Sequence, residues 1–408
     1  MEKAALEEQQ RKEVVEEELP EERKKKPRKG AYGWLRERKV RELVQGKRRL
    51  VEVPYTATLA HTLNALVANR VAAVPVAAPP GHWIGAGGSM ILESDKATGA
   101  VRKHYIGMVT MLDILAHIAE EDHAADFAAA PGPDLDVRMA VPVSSIIGHS
   151  LEGFSLWTLN PNTSVLDCME SFCKGVHRAL VPLESRADHV VAVELVEASP
   201  GYRMLTQMDL LAFLKENSQE LKDVLSCSVQ GLGAINENVF AVMKSTTVIG
   251  ALRSMRTASL NAVPVVEESP GGGQLLQDGR GKRLVATFSA ADLGGCPIGL
   301  LQSWLSMSIM EFKERVWMRE GAAPHPHHNT KPAPRTLITC DPGTSLAEVV
   351  EEMVEGDVHR VWVVDRDGLL VGLVSLTDML RVFRESVLLA DGEAVPDVPT
   401  SSSLQINF

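Results

Sequence analysis

At 408 residues, with 45% hydrophobic and 23% charged side chains, the chain has the composition of a globular protein with room for two or three domains. Its net charge of -11 argues against general nucleic-acid binding, because sequence-independent affinity for phosphate backbones needs an excess of Lys and Arg. No run of about 18 apolar residues occurs, and the opening "MEKAALEEQQRKEVVEEE" is too charged for a secretory signal, so a cytoplasmic protein without a membrane partner is expected.

Residues 1–50 are dominated by Glu, Lys and Arg and lack the apolar residues of a core, which predicts a disordered tail or a fraying, solvated helix. Within them "EERKKKPRKG", Glu21 to Gly30, reads as a solvated run or as a nuclear address. From Pro54 onward the chain repeats itself with a period of about 85 to 95 residues. The four copies open with "PYTATLAHTLNAL", "NPNTSVLDCMESF", "KSTTVIGALRSM" and "DPGTSLAEVVEEM". Leu346, Val349, Val350 and Met353 fall at i, i+3, i+4 and i+7, the spacing of one helix face. Short strands follow in "VAAVPVAA", "RALVPLES", "LNAVPVVEE" and "RVWVVDRDG", and a second strand leads into a closing helix, so each unit reads as helix, strand, strand, helix. Between the strands lie variable connections, Ala77 to His104 and Glu267 to Gly281, of the kind that solvated loops tolerate. "GAAPHPHHNTKPAPR", Gly321 to Arg335, is a Pro-rich linker into the fourth unit.

Every second strand ends in Ser/Thr-x-x-Asp: Thr110 and Asp113, Thr206 and Asp209, Ser289 and Asp292, Ser375 and Asp378. Such a pair at a helix start is a capping box, the hydroxyl meeting the N3 amide and the acid reaching back to the N-cap amide. Four copies in equivalent places ask for more than capping, because many residue pairs can start a helix. A carboxylate there can accept from both hydroxyls of a ribose, with the Ser or Thr hydroxyl beside it. Two His-Arg pairs, His177 with Arg178 and His359 with Arg360, precede the first apolar strand of the second and fourth units. The planar fork of Arg suits phosphate and His adds a donor, the alternative being a surface pair at a strand entrance.

This repeat resembles the cystathionine-β-synthase (CBS) motif, and four in one chain resemble two tandem Bateman modules, an α/β (α+β) fold arranged as a pseudo-symmetric disk. Module 1 would span about 51–230, with repeats at about 51–122 and 140–225, and module 2 about 231–390, with repeats at about 235–312 and 335–387, before a C-terminal tail at 391–408. The signatures with the His-Arg pairs are similar to those of the γ regulatory subunits of AMP-activated and sucrose-non-fermenting-related kinases, the plant γ-like proteins above all. The resemblance implies a non-catalytic subunit that binds AMP, ADP or ATP and assembles with a kinase α catalytic subunit and a β scaffold subunit. It implies a ribose role for Asp113, Asp209, Asp292 and Asp378, and a place near the nucleotide for Thr163, Thr246 and Thr344, which also read as helix N-caps.

The odd units depart from the pattern: Ala72 and Ala73 stand at the His-Arg positions of the first, Asn261 and Ala262 at those of the third. Arg70 and Arg256 lie nearby and are candidates to compensate at the phosphate, though a basic residue at a helix end also suits the helix dipole. Fewer than four phosphate-competent sites is the inference. "WIGAGGS", Trp83 to Ser89, lacks the Lys-Ser/Thr of a phosphate loop, and "HPHH", His325 to His328, lacks acidic or thiol neighbours for a metal. Cys168, Cys173, Cys227, Cys296 and Cys340 form no CxxC, which implies reduced thiols without a disulfide framework or zinc. No catalytic constellation stands out. The other reading is a CBS scaffold for complex assembly with vestigial nucleotide sites.

Overall fold

A computed structural model describes residues 30, 32–78, 104–119, 135–148, 156–183, 191–193, 196–197, 201–268, 276–293, 298–320 and 337–394. The N-terminal stretch 1–29 with most of its basic run, the glycine-rich stretch at 83–89, the linker 321–335 with its histidines, Cys296 and the end of the C-terminal tail lie outside them.

Each unit is one βαββ(α) element. In the fourth, strand Thr339–Cys340 leads to helix Leu346–Glu355, then to the hairpin Arg360–Val364 and Leu370–Ser375, and finally to helix Leu376–Ala390. The first strand pairs parallel with the second, and the second antiparallel with the third, in all four units. The opening strand is only two to four residues long and is absent from the sequence reading. So short a run carries little periodicity, and it is a strand because the crossover helix returns its neighbour beside it.

The first helix of each unit forms where expected. Leu346, Val349, Val350 and Met353 are its buried face in the fourth unit, and Leu59, Leu63 and Leu66 in the first. Thr58, Ser164, Thr247 and Ser345 are the N-caps, each hydroxyl accepting from the amide three residues on. After each of these helices one residue is left-handed: Arg70 (φ 50°), Gly175 (91°), Ser259 (52°) and Asp357 (47°). Two residues later come Ala72, His177, Asn261 and His359, and the strands begin at the residue after each, at Ala73, Arg178, Ala262 and Arg360.

Side-chain packing closes the units into a ring. Sheet meets sheet between consecutive units: Ala73, Ala77, Tyr105 and Met108 against Leu156 and Leu180, and Val239, Ala241 and Val266 against Trp362 and Leu370. Strand Val196–Glu197 of the second unit also extends the first unit's sheet, pairing with His104 and Tyr105. Helices join alternate units: Ile114, Leu115, Leu252 and Met255 lie in one core of units one and three, and Phe172, Leu211, Met379 and Phe383 in one core of units two and four. Full burial of one such side chain contributes about 1.5–3 kcal/mol, so the two helix-lined cores are the principal stabilisers of the ring.

Two expectations are corrected. The charged tail does not extend to residue 50: helices Gly33–Glu37 and Val40–Val44 bury Tyr32, Leu35, Val40 and Val44 in the core of units two and four. Four apolar residues with helical spacing are lost in the average of a charged stretch but suffice to dock it. The third unit's closing helix also does not start at Ser289. A single 3-10 turn, Ala290–Leu293, comes first, and the helices Ile298–Leu305 and Ile309–Glu320 follow. Gly294, Gly295 and Pro297 interrupt the run, and neither residue type propagates a helix.

Candidate nucleotide site

In three units the signature forms a complete capping box. Oδ2 of Asp113 accepts from Thr110 N and Thr110 Oγ1, both at 2.7 Å, and Asp209 repeats this with Thr206 at the same distances. Asp378 Oδ2 accepts from Ser375 N at 3.1 Å and Ser375 Oγ at 2.5 Å. In the third unit Ser289 N donates to Asp292 at 2.9 Å, ahead of the 3-10 turn. The capping role is therefore real, and these bonds engage one carboxylate oxygen of each residue. Asp113 and Asp378 are 3% exposed. Asp209 forms an ion pair with Lys47, and Asp292 one with Lys313 at 3.5 Å.

Strand register fixes the His-Arg positions against the signatures. Arg178 lies opposite Thr206, Arg360 opposite Ser375, Ala73 opposite Thr110, and Ala262 opposite Ser289. The carbonyl of His177 accepts from Gln207 N at 3.2 Å, and that of His359 from Leu376 N at 3.1 Å. In the even units each pair is thus laced to the helix start that carries its aspartate.

The two pairs also converge. The imidazole of His359 is held below its ordinary 6.5 by burial, then by the positive charges of Arg360 and Arg178, with Asp357 opposing and His177 adding to the depression. His359 as a whole residue is nonetheless exposed. Arg360 extends further, donating to Ala262 O of the third unit at 3.0 Å. Beside this cluster Gln207 Nε2 donates to Thr377 Oγ1 at 2.9 Å. These are the variable positions of two signatures, passed over in the sequence because their partnership exists only across the interface of units two and four.

Other candidates are placed differently. Thr163, Thr246 and Thr344 each stand one residue before the N-cap, so capping does not account for them. Thr246 is buried, and Thr344 Oγ1 accepts from Asp341 N at 3.0 Å. Arg70 occupies the left-handed position equivalent to Gly175 and Asp357, and its exposed side chain makes no hydrogen bond or ion pair among the described residues. Burial pushes the thiols of Cys173 and Cys340 up to about 12, and no group of three or more His, Cys, Asp or Glu able to hold a metal occurs among the described residues.

The CBS domain family matches residues 334–385, the fourth unit. The chain is 52% identical over 355 residues to the SNF1-related protein kinase regulatory subunit gamma-like PV42a of Arabidopsis thaliana, covering 85% of this chain and 95% of the relative. The chain belongs to the γ-like family of SNF1-related kinase regulatory subunits. PV42b of the same plant is 50% identical over 362 residues, covering 88% of this chain and 98% of that one. The solved structure of protein MJ1225 from Methanocaldococcus jannaschii aligns with a TM-score of 0.53 at 18% identity, over 85% of this chain and 99% of that one, and shows the shared four-repeat fold. The γ-like family is one of regulatory subunits, not enzymes. Among the described residues no helix is long and apolar enough to cross a membrane.

Proposed function

We propose that this γ-like chain binds adenine nucleotides between its second and fourth units and passes energy status to an SNF1-related or AMP-activated-type kinase, assembling with α catalytic and β scaffold subunits. The observation that carries the reading is the convergence of His177, Arg178, His359 and Arg360, in a protein of net charge -11, next to the helix starts of Asp209 and Asp378. Like charges gather at a cost unless an anion offsets it, and phosphate matches the donor fork of Arg.

Asp378, Asp209, Asp113 and Asp292 serve the ribose through the oxygen that capping does not use, beside Ser375, Thr206, Thr110 and Ser289. Thr163, Thr246 and Thr344 line the clefts with hydroxyls that capping leaves over. Exchanging AMP or ADP for ATP alters the charge presented to the His-Arg cluster. That exchange carries a signal only through unequal affinity for two arrangements of the complex. The odd units keep the aspartate and lack the His-Arg pair, which supports unequal sites.

Calorimetric titration of nucleotide-free protein with AMP, ADP and ATP tests the reading. Saturable micromolar binding, about -8 kcal/mol, that is lost in Arg178→Ala/Arg360→Ala while the melting transition is kept, supports it. No heat and no co-purified nucleotide leaves the scaffold reading, which has one observation in its favour: capping already gives the aspartates a structural role.

A further inference from the structure

The segment Tyr32–Lys47 does more than dock. It runs across the junction of units two and four: Val40 N donates to Thr163 O at 3.0 Å, Trp34 packs on Phe213 with ring centroids 5.9 Å apart, and Arg36 pairs with Glu393 at 2.6 Å beyond the last helix. At its other end Arg203 Nε donates to Lys47 O at 2.9 Å, and Lys47 Nζ reaches Oδ2 of Asp209. A residue from outside the repeats therefore sits on the signature carboxylate of the second unit.

We propose that Lys47, at the end of this segment, is a built-in competitor for the second unit's ligand site. Its ammonium sits on the capping oxygen of Asp209 and neutralises the carboxylate whose other oxygen a ligand hydroxyl would use, so this site fills when the Lys47 side chain swings away while the apolar residues of the segment stay docked. The inference rests on the nucleotide reading above. Both donors make charge-assisted bonds to the carboxylate, but the ammonium also brings a positive charge that a ribose hydroxyl lacks, which makes it the stronger partner. Tethering keeps Lys47 at high effective concentration. The lock is nevertheless reversible, because the side chains of Lys47 and Asp209 are 28% and 26% exposed and such pairs are weak.

Asp113 and Asp292 differ. Asp113 has no ion pair among the described residues. Lys313, which meets Asp292, lies on a helix packed into its own unit and also donates to Thr287 O at 2.7 Å, so no separable segment is involved.

The test is calorimetry with AMP on the full chain, on Lys47→Ala and on Lys47→Ala/Asp209→Ala. Lys47→Ala is expected to bind one equivalent about two- to fivefold tighter than wild type, with the gain abolished in the double variant. Amide hydrogen exchange supplies a readout in the unmodified chain: saturating AMP should speed exchange at the end of the segment around Lys47, whose amide donates to Val44 O. If wild type binds AMP but the Lys47→Ala isotherm superposes on it and exchange in the segment is unchanged, the competitor is overturned while the nucleotide reading stands. If none of the three proteins binds AMP, both fall.

Discussion

The even and odd halves of the ring are built alike and charged differently. Units two and four present His177-Arg178 and His359-Arg360 at the point where units one and three present Ala72-Ala73 and Asn261-Ala262, although register, left-handed turn and capping position match. The repeat is thus a packing solution that tolerates either chemistry at its strand entrance. Charge there is added to a scaffold that does not need it for folding.

The largest expected effect tests the packing side of that statement. Phe383→Ala in the even core and Phe312→Ala in the odd core should each cost about 3–5 kcal/mol in chemical denaturation, since both are fully buried and the cavity adds to the lost transfer energy. Equal losses mean the two halves are equivalent scaffolds, and a much smaller loss in one would break the comparison.

Next comes the charge. Arg360→Ala should weaken AMP binding by about 10- to 100-fold, the worth of a charge-assisted bond of about 1.5–3 kcal/mol, while Asn261→Ala in the odd half leaves the isotherm unchanged. A smaller effect separates the capping boxes. Ser375→Ala removes a complete box and should cost about 1 kcal/mol, whereas Ser289→Ala, ahead of a single 3-10 turn, should cost less in the same melts.

The pH dependence follows from His359. Its folded pKa lies below its unfolded value, so the native state binds fewer protons. The stability this contributes is present above about 6.5 and is lost as pH falls through the folded value. His359→Gln should flatten the acid side of the ligand-free stability profile, with a nucleotide-saturated sample shifted the opposite way because phosphate favours imidazolium. The shared left-handed turn contains the smallest effect, at Asp357. Asp357→Gly should stabilise by a few tenths of a kcal/mol, and Gly175→Ala, at a φ of 91°, should destabilise by about 1 kcal/mol or more.

The signatures, the helix faces and the His-Arg alignment were all legible in the chain, because capping and amphipathic spacing act over three to seven residues. What escaped was of another kind. The short opening strands have no pattern of their own. Tyr32, Leu35, Val40 and Val44 are too few to outweigh the charge around them. The third unit's 3-10 turn shows that a Ser-x-x-Asp pair does not impose an α-helix when glycines follow it. Arg70, a candidate to compensate by proximity, lies in the turn two residues before the position of the pairs, a placement that spacing alone does not give.

By itself the sequence determined the repeat, its local elements and the residue chemistry offered at each strand entrance, since these depend on neighbours along the chain. Tertiary structure alone decided which entrances face one another: His177 and Arg178 act on His359, Gln207 meets Thr377, and Lys47 reaches Asp209. These partners are 162 to 182 residues apart or nearly so, and the pairing rests on which helix faces bury each other, a choice no local pattern encodes.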